Sequence, residues 1–163
     1  MHRSVHIIVV VVTLLSCIGC DQLTKAVAKG KLPRNEIRFF AGDAVRLQYT
    51  ENEGAFLGMG ASLPEKARKL LFPAAIGAIV AGILVYLFLV PALPCRVTIG
   101  LSLVAGGGLG NLIDRIAFDG HVVDFLNIGF GNLRTGVFNV ADVAITAGAI
   151  LLFVEGAKRA KPV

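Results

Sequence analysis

Four long stretches of this sequence carry almost no charged side chains. Three of them, residues 4–20, 70–95 and 97–113, lack Asp, Glu, Lys and Arg altogether, and the fourth, residues 135–154, holds only Asp142. A helix needs about 20 mostly apolar residues to cross the hydrocarbon core of a bilayer. We therefore predict one membrane-embedded domain over residues 1–163, with four transmembrane helices at about residues 4–23, 68–90, 96–115 and 136–155.

The composition agrees with a membrane protein and argues against a nucleic-acid partner. Apolar residues make up 55% of the chain and the mean hydropathy is +0.75, which is more apolar than an ordinary soluble domain. The net charge of +5 comes from Lys and Arg that flank the predicted helices, where such residues set orientation and contact anionic lipid. The aromatic content is 7%, with no base-stacking pattern among these basic residues, so we predict no nucleic-acid surface.

An even number of helices places both termini on one side of the membrane. The C-terminal tail carries Lys158, Arg159 and Lys161, and the N-terminus carries Arg3, so we predict that both termini are cytoplasmic. The first loop is also basic, with Lys25, Lys29, Lys31, Arg34, Arg38 and Arg46. That loop is long and contains acidic residues as well, so we give the tails more weight.

The first apolar stretch resembles a secretory signal, and residues 14–17 (LLSC) resemble a lipoprotein cleavage box. An exported lipoprotein would continue into a polar domain, whereas this chain continues into three more apolar stretches, so we predict an uncleaved first helix. The three cysteines and three histidines are scattered. We predict neither a disulfide framework nor a metal site, and we interpret the cysteines as small buried hydrophobic residues.

The predicted topology brings the polar residues near the helix ends to the outer face, whereas the inner connection between spans two and three offers only Arg96. The outer residues are Asp21, Lys25, Asn111, Asp114, Arg115, Asp124, Asn139 and Asp142. Residues 45–50 (VRLQYT) alternate like a strand and can pair with residues 36–41 across a turn at Gly42 and Asp43. We therefore predict a small β-platform, within about residues 35–60, on the outer surface beside a functional site.

Asp142 is the residue that most strongly indicates a function. A carboxylate inside a membrane span costs roughly 2.5–3.5 kcal/mol on insertion scales, so such residues usually face a cavity or a partner. The structural alternative is an Asp that caps a helix N-terminus, where the helix dipole favours negative charge.

A second carboxyl group would allow Asp142 to take part in hydrolysis. Two neighbouring carboxyl groups share a proton, so one can activate water while the other protonates the scissile carbonyl oxygen. Spacing leaves four partners open, namely Asp21, Asp114, Asp119 and Asp124. Asp114 precedes Arg115 and suggests a structural ion pair, Asp119 beside Gly120 suggests a turn, and Asp124 has apolar neighbours that would raise its pKa.

Two other motifs have simpler explanations. The glycines of residues 106–110 (GGGLG) lie inside an apolar span, where small residues allow close helix packing, and not after a strand as a nucleotide loop requires. A Ser–Lys dyad is a rival protease chemistry, but Ser62 is the only serine in the outer loop and nothing marks it as activated.

Five motifs in order resemble the lipoprotein signal peptidase (signal peptidase II) family. They are residues 21–25 (DQLTK), 52–56 (NEGAF), 110–115 (GNLIDR), 122–125 (VVDF) and 138–142 (FNVAD). Each motif is weak alone, but the five together on a four-span frame are specific, and the resemblance covers nearly the whole chain. It implies a membrane all-α fold, a four-helix transmembrane bundle with a small β-platform on the periplasmic face.

The resemblance also implies roles for individual residues. The catalytic pair of the family falls on Asp124 and Asp142, and Asp21, Lys25 and Asp114 fall on supporting positions. The positions that line the substrate pocket fall on Asn52, Gly54, Asn111, Arg115, Asn139 and Ala141.

The implied activity is that of an aspartic endopeptidase in the bacterial inner membrane, without a cofactor. Its substrate would be a prolipoprotein whose cysteine carries diacylglycerol, cut on the N-terminal side of that cysteine. Membrane lipids and globomycin-type inhibitors are the other implied partners. The alternative is a non-enzymatic scaffold or transporter subunit, which would spread its polar residues through the membrane depth.

Overall fold

The computed structural model describes residues 2–53, 64–90 and 93–159, without the side chains of Glu65 and Arg68. Gly54, Phe56 and Ser62 lie outside the described residues, as do Pro91 and Ala92 of the predicted turn between spans two and three. The elements are α1 (Arg3–Lys31), β1 (Arg38–Phe40), β2 (Val45–Asn52), α2 (Glu65–Leu89), α3 (Cys95–Ala117), β3 (Val122–Phe130), β4 (Leu133–Arg134) and α4 (Val140–Arg159).

The four helices are each long and apolar enough to cross a membrane. Together with the small sheet, they confirm the predicted fold class. Helix α3 lies at the centre, because it packs against each of the other three helices. In its most apolar window 56% of the residues are buried, against 11–17% in the other helices, whose apolar side chains face outward as expected when the solvent is lipid.

Glycines allow the other helices to approach α3 closely. A Cβ atom at Gly106 would collide with α1, one at Gly107 with α4 and one at Gly108 with α2. These contacts confirm that the glycine run serves helix packing and not a nucleotide loop.

A buried histidine joins three helices at the end of the bundle where α1 and α3 begin and α2 ends. His6 Nε2 of α1 lies 2.7 Å from the carbonyl oxygen of Leu87, and His6 Nδ1 lies 3.3 Å from Thr98 Oγ1 at the start of α3. The Leu87 carbonyl is among the last four of α2, which lack partners within the helix. The imidazole therefore satisfies a helix end and joins three helices.

The interpretation of the cysteines as buried is wrong. Cys20 and Cys95 are exposed and Cys17 is half-buried. An apolar side chain on a membrane helix loses little by facing lipid, so hydrophobicity does not require burial here.

The sheet has four antiparallel strands in the order β1-β2-β3-β4. Strands β1 and β2 form the predicted hairpin, with Phe40 opposite Val45, and its turn uses positive φ angles at residues 41–43. Residues 122–130, for which the sequence predicts no strand, form β3, which pairs with β2 and β4. The first four side chains of β3 are all buried, so the strand lacks the alternation that would have revealed it.

Helix α1 is longer than its predicted span, and helix α4 is shifted along the chain relative to its predicted span. Helix α1 continues to Lys31, because Ala28 and the following Leu32 pack beneath the sheet against Tyr49, Val123 and Phe125. Lys25 and Lys29 therefore belong to the helix and not to the first loop. Helix α4 begins only at Val140, because Phe138 still bridges to Leu126 of β3.

Candidate active site

Asp124 is a buried carboxyl group on β3, with 2% of its surface exposed. Its Oδ2 atom accepts a hydrogen bond from Asn52 Nδ2 at 2.9 Å, and its Oδ1 atom accepts one from Asn139 Nδ2 at 2.6 Å. Asn52 ends β2, which is hydrogen-bonded to β3, and Asn139 directly precedes α4. Three elements therefore meet at this carboxyl group.

Burial raises the pKa of Asp124 to about 6. The amide hydrogen bond from Asn52 opposes this shift, and the negative charge of Asp142 adds to it. A carboxyl group with a pKa near neutrality can hold a proton and release it during a reaction. This agrees with the pKa increase that the apolar neighbours of Asp124 predict.

Asp142 lies in the first turn of α4, where it forms a capping box with Asn139. Asp142 Oδ2 accepts a hydrogen bond from the Asn139 backbone N–H at 3.1 Å, and the Asp142 backbone N–H donates to Asn139 Oδ1 at 3.0 Å. This reciprocal pair satisfies otherwise unpaired groups at the helix N-terminus. The capping alternative for Asp142 is thus correct, and it is compatible with a functional role because the remaining oxygen faces other site residues.

Two side-chain amides connect Asp142 with Asp124. Asn111 Nδ2 donates to Asp142 Oδ1 at 2.9 Å, and Asn139 Nδ2 lies 3.0 Å from Asn111 Oδ1. Asn139 therefore touches Asp124 through its amide nitrogen and Asp142 through its amide oxygen. These contacts bring together the carboxyl groups of Asp124 on β3 and Asp142 on α4, an arrangement that can support acid–base hydrolysis.

Behind this pair lies a buried ion cluster. Asp21, Lys25 and Asp114 are 0%, 4% and 1% exposed. Lys25 Nζ lies 2.7 Å from Asp21 Oδ2 and 3.0 Å from Asp114 Oδ2. Asp114 thus forms the structural ion pair predicted for it, with Lys25 on α1.

The two acids of the cluster also hold the backbone next to the two site aspartates. Asp21 Oδ1 accepts a hydrogen bond from the Ala141 N–H at 2.9 Å, and Asp114 Oδ2 accepts one from the Val123 N–H at 3.0 Å. Ala141 directly precedes Asp142, and Val123 directly precedes Asp124. The cluster therefore fixes the start of α4 and the start of β3 relative to α1 and α3.

Gln22 is a site residue that the sequence interpretation missed. Its Nε2 atom lies 3.2 Å from Asp21 Oδ2, 2.9 Å from Asp114 Oδ1 and 3.1 Å from the Gly110 carbonyl oxygen. A polar side chain one residue after Asp21, at the end of an apolar span, was the available signal.

Residues 12–158 match the sequence profile of signal peptidase (SPase) II. This chain belongs to the signal peptidase II family. Two relatives named lipoprotein signal peptidase match it over most of their length. The protein from Streptococcus pneumoniae is 36% identical over 146 residues, covering 90% of each chain, and that from Pelotomaculum thermopropionicum is 41% identical, covering 90% of this chain and 86% of its own.

A solved bacterial membrane enzyme, determined by the in meso method at 2.3 Å resolution, has a similar structure. Its TM-score is 0.77 at 25% identity, with 98% of this chain and 94% of that chain covered. Membership in a peptidase family does not favour the alternative of a non-enzymatic scaffold or transporter subunit.

The remaining residues singled out in this signal peptidase II chain occupy different environments. Arg115 is half-buried, donates to the Asn111 carbonyl oxygen at 3.2 Å, and interacts electrostatically with Asp124 and Asp142. Ala141 is 1% exposed, and its backbone N–H is held by Asp21. Asp119 lies in the turn after α3 with a positive φ of 52°, as its sequence context predicts, and it pairs with Lys69 away from the site.

Proposed function

We propose that this chain is an aspartic endopeptidase that removes signal peptides from diacylglyceryl-modified prolipoproteins, cutting on the N-terminal side of the lipidated cysteine. The observation that carries the proposal is the link between Asp124 and Asp142 through the Asn139 side chain, at one end of a membrane bundle. The family and the name of its relatives support the substrate class.

The two carboxyl groups share one proton, because two neighbouring carboxylates cannot both ionise without a large penalty. We assign the shared proton to Asp124 when the pair acts, because burial raises the pKa of this carboxyl group towards neutrality, to about 6. We assign the base to Asp142, because it lies at the N-terminus of α4, where the helix dipole favours the ionised carboxylate.

Hydrolysis then proceeds through a tetrahedral intermediate. Asp142 takes a proton from water as the water oxygen bonds to the scissile carbonyl carbon, and Asp124 gives its proton to the carbonyl oxygen. When the C–N bond breaks, Asp142 returns its proton to the leaving amine. Asp124 recovers a proton from a hydroxyl of the intermediate as the new carboxylic acid forms, so both residues return to their starting states.

We assign substrate binding to five residues around this pair, namely Asn52, Asn111, Arg115, Asn139 and Ala141. We assign it also to Gly54, which lies outside the described residues. Asp21, Lys25 and Asp114 support the pair from behind. Globomycin-type cyclic peptides would compete with the substrate for the same surface.

The site is proposed to lie at the outer face of a bacterial plasma membrane, with both termini cytoplasmic. Lys158 and Arg159 end α4, at the opposite end of that helix from Asp142, which supports this orientation. There the scissile bond of a prolipoprotein, held by its signal helix and acyl chains, would meet the aspartates at the membrane surface.

The test is a cleavage assay with two forms of one precursor peptide, one carrying diacylglycerol on its cysteine and one with the free thiol. We expect a product that begins with the lipidated cysteine, identified by mass spectrometry, and much slower cleavage of the unlipidated form. Equal rates on both forms would exclude lipid recognition, and no cleavage of either by folded protein would exclude the proposed function.

A further inference from the structure

We propose that Lys25 is a positioning residue that fixes the orientation of the Asn111 and Asn139 amides, so that each amide presents its N–H group to a catalytic carboxyl group. This inference rests on the proposed function of Asp124 and Asp142. It assigns to Lys25 a role beyond that of a counter-charge for the acids beside it.

The environment of Lys25 uses each of its three N–H donors. A lysine ammonium group has three donors and no acceptor. Its neighbours are three oxygen atoms, namely Asp21 Oδ2 at 2.7 Å, Asn111 Oδ1 at 2.9 Å and Asp114 Oδ2 at 3.0 Å. The ammonium group is 4% exposed, so these contacts are not exchanged for water.

This contact decides which way the Asn111 amide faces. The oxygen and nitrogen of a side-chain amide have nearly the same shape, so shape alone permits either orientation. Lys25 can only donate, so the oxygen must face it, and Nδ2 must then face Asp142 Oδ1 at 2.9 Å. The reverse orientation would place Nδ2 against the ammonium group and the amide oxygen against a carboxylate, which is unfavourable at both ends.

The orientation of the Asn111 amide in turn determines the orientation of the Asn139 amide. Because Asn111 turns its oxygen towards Lys25, that oxygen also accepts from Asn139 Nδ2 at 3.0 Å. The Asn139 oxygen faces the Asp142 backbone N–H, and Nδ2 donates to Asp124 Oδ1 at 2.6 Å. A reversed Asn111 amide would place its own N–H group against the N–H group of Asn139. The orientation of one amide therefore supports that of the other.

The charges around the network explain why a donor is needed there. Asp21, Asp114, Asp124 and Asp142 surround the two amides, and Arg115 is the other cation that interacts with the catalytic pair. Without the Lys25 contact, Asn111 could turn its oxygen towards Asp142 and disfavour the ionised base. Lys25 donates a hydrogen bond to neither catalytic carboxyl group in the contacts given above, so its hydrogen-bonding effect on the pair passes through Asn111. The charge of Lys25 also acts directly on Asp124, and the experiment separates these two effects.

The experiment separates the amide contact from charge neutralisation. In Lys25→Met, the cluster changes from one cation and two anions to two anions, and this variant can fail to fold. The double variant Lys25→Met/Asp114→Asn leaves one anion, which is the net charge of the wild-type cluster, but still lacks the donor to Asn111. Lys25→Arg keeps a donor-only cation and serves as the conservative variant.

We expect the folded double variant to cleave the lipidated precursor with kcat about 10- to 100-fold lower, the range for losing one hydrogen bond to a charged group. KM should change little, and the acidic limb of the kcat–pH profile should move to higher pH, because the ionised base has lost a donor. Lys25→Arg should keep more activity than the double variant, with the limb unmoved.

A double variant with wild-type kcat and an unmoved acidic limb would show that Lys25 acts only as a counter-charge, and would overturn the inference. A folded Lys25→Arg variant with the same loss and the same shifted limb would also overturn it. If Lys25→Arg does not fold, the double variant alone decides. Failure of the proposed function is distinguishable, because the wild-type protein would then not cleave the precursor at all.

Discussion

Asn139 is the residue on which the geometry of the site depends. One side-chain amide caps α4 through its oxygen and binds Asp124 through its nitrogen. Asp142 has a similar double task, since it completes the cap with one oxygen and binds Asn111 with the other. Formation of the capped N-terminus of α4 therefore places Asp142 next to Asn139, which also binds Asp124. The fold of α4 thus brings Asp142 and Asp124 together.

We expect Asp124→Asn and Asp142→Asn each to reduce cleavage to background in protein that remains inserted and folded. The amide has nearly the shape of the carboxyl group and can still accept hydrogen bonds through its oxygen, but it cannot relay a proton. General acid–base catalysis contributes roughly 10²–10⁴-fold per group, and loss of water activation adds to this. The measurement is turnover of a lipidated precursor per folded molecule.

Asp119→Asn is the matched control, because Asp119 lies in an exposed turn away from the pair and should keep most activity. The variant lacking both carboxyl groups should be little worse than either single variant, since the pair acts as a unit. Substantial turnover by a folded single variant would remove that aspartate from the catalytic role.

The raised pKa of Asp124 predicts a pH dependence of stability. Its pKa is about 6 in the folded protein and about 3.9 in an unfolded chain, so the folded state binds the proton more tightly. The stabilisation from this proton is complete below about pH 4 and is lost as the pH rises to about 6. Over this window it amounts to roughly 2–3 kcal/mol.

Asp124→Asn removes this titration. The unfolding temperature of the wild-type protein in detergent should therefore fall relative to that of the variant between pH 4 and pH 6, and the difference should level off above that range. Parallel curves for the two proteins over this range would contradict the assigned pKa.

At the scale of the elements, strands and helices differ in how well the sequence predicts them. The spans follow from long apolar runs, and the β1–β2 hairpin follows from alternation and a turn. Strand β3 does not, because its buried start, residues 122–125, is covered on both sides and shows no period of two. The amide contacts of Asp124 reach residues 52 and 139, and no local pattern predicts such distant pairings.

The packing of α4 against α3 sets the position of Asp142, and Gly107 is its most sensitive point. A Cβ atom at Gly107 would overlap the Ala141 carbonyl oxygen, which is backbone and cannot rotate away. We expect Gly107→Ala to displace the start of α4, to lower stability by about 1–3 kcal/mol and to lower kcat as well. Thermal unfolding and precursor turnover measure the two effects.

Gly82→Ala in α2 is the control, because a Cβ atom there has nothing within 4 Å. It should be neutral or slightly stabilising, since alanine favours helix more than glycine does. Equal behaviour of the two variants would mean that the contact between α3 and α4 does not position the site.

At the scale of the whole molecule, the bundle has chemically different ends. Among the described residues, the end formed by the start of α1 and the close of α2 holds a buried histidine and a buried threonine, His6 and Thr98, among apolar side chains. The other end holds the ion cluster, the amides and the sheet. A transporter would spread such groups along the bundle, so this separation fits an enzyme that meets its substrate at one membrane surface.

This asymmetry makes the orientation testable in intact cells. Two single-cysteine variants, Asn132→Cys and Lys158→Cys, test it. Asn132 lies in the exposed β3–β4 turn of the sheet, whereas Lys158 lies in the last turn of α4. Both substitutions are made in a chain whose native cysteines at 17, 20 and 95 are replaced by alanine, since Cys20 and Cys95 are exposed. The probe is a thiol reagent that does not cross the membrane.

With both termini cytoplasmic, Asn132→Cys should react in intact cells and Lys158→Cys only after the membrane is permeabilised. The physical reason is that Lys158 and Arg159 remain on the side where synthesis occurs, while the sheet is carried across with the acidic end of the bundle. The basic residues near β1, such as Arg34 and Arg38, act against this orientation. Labelling of Lys158→Cys in intact cells, with Asn132→Cys protected, would show the opposite topology, with the aspartates on the cytoplasmic face.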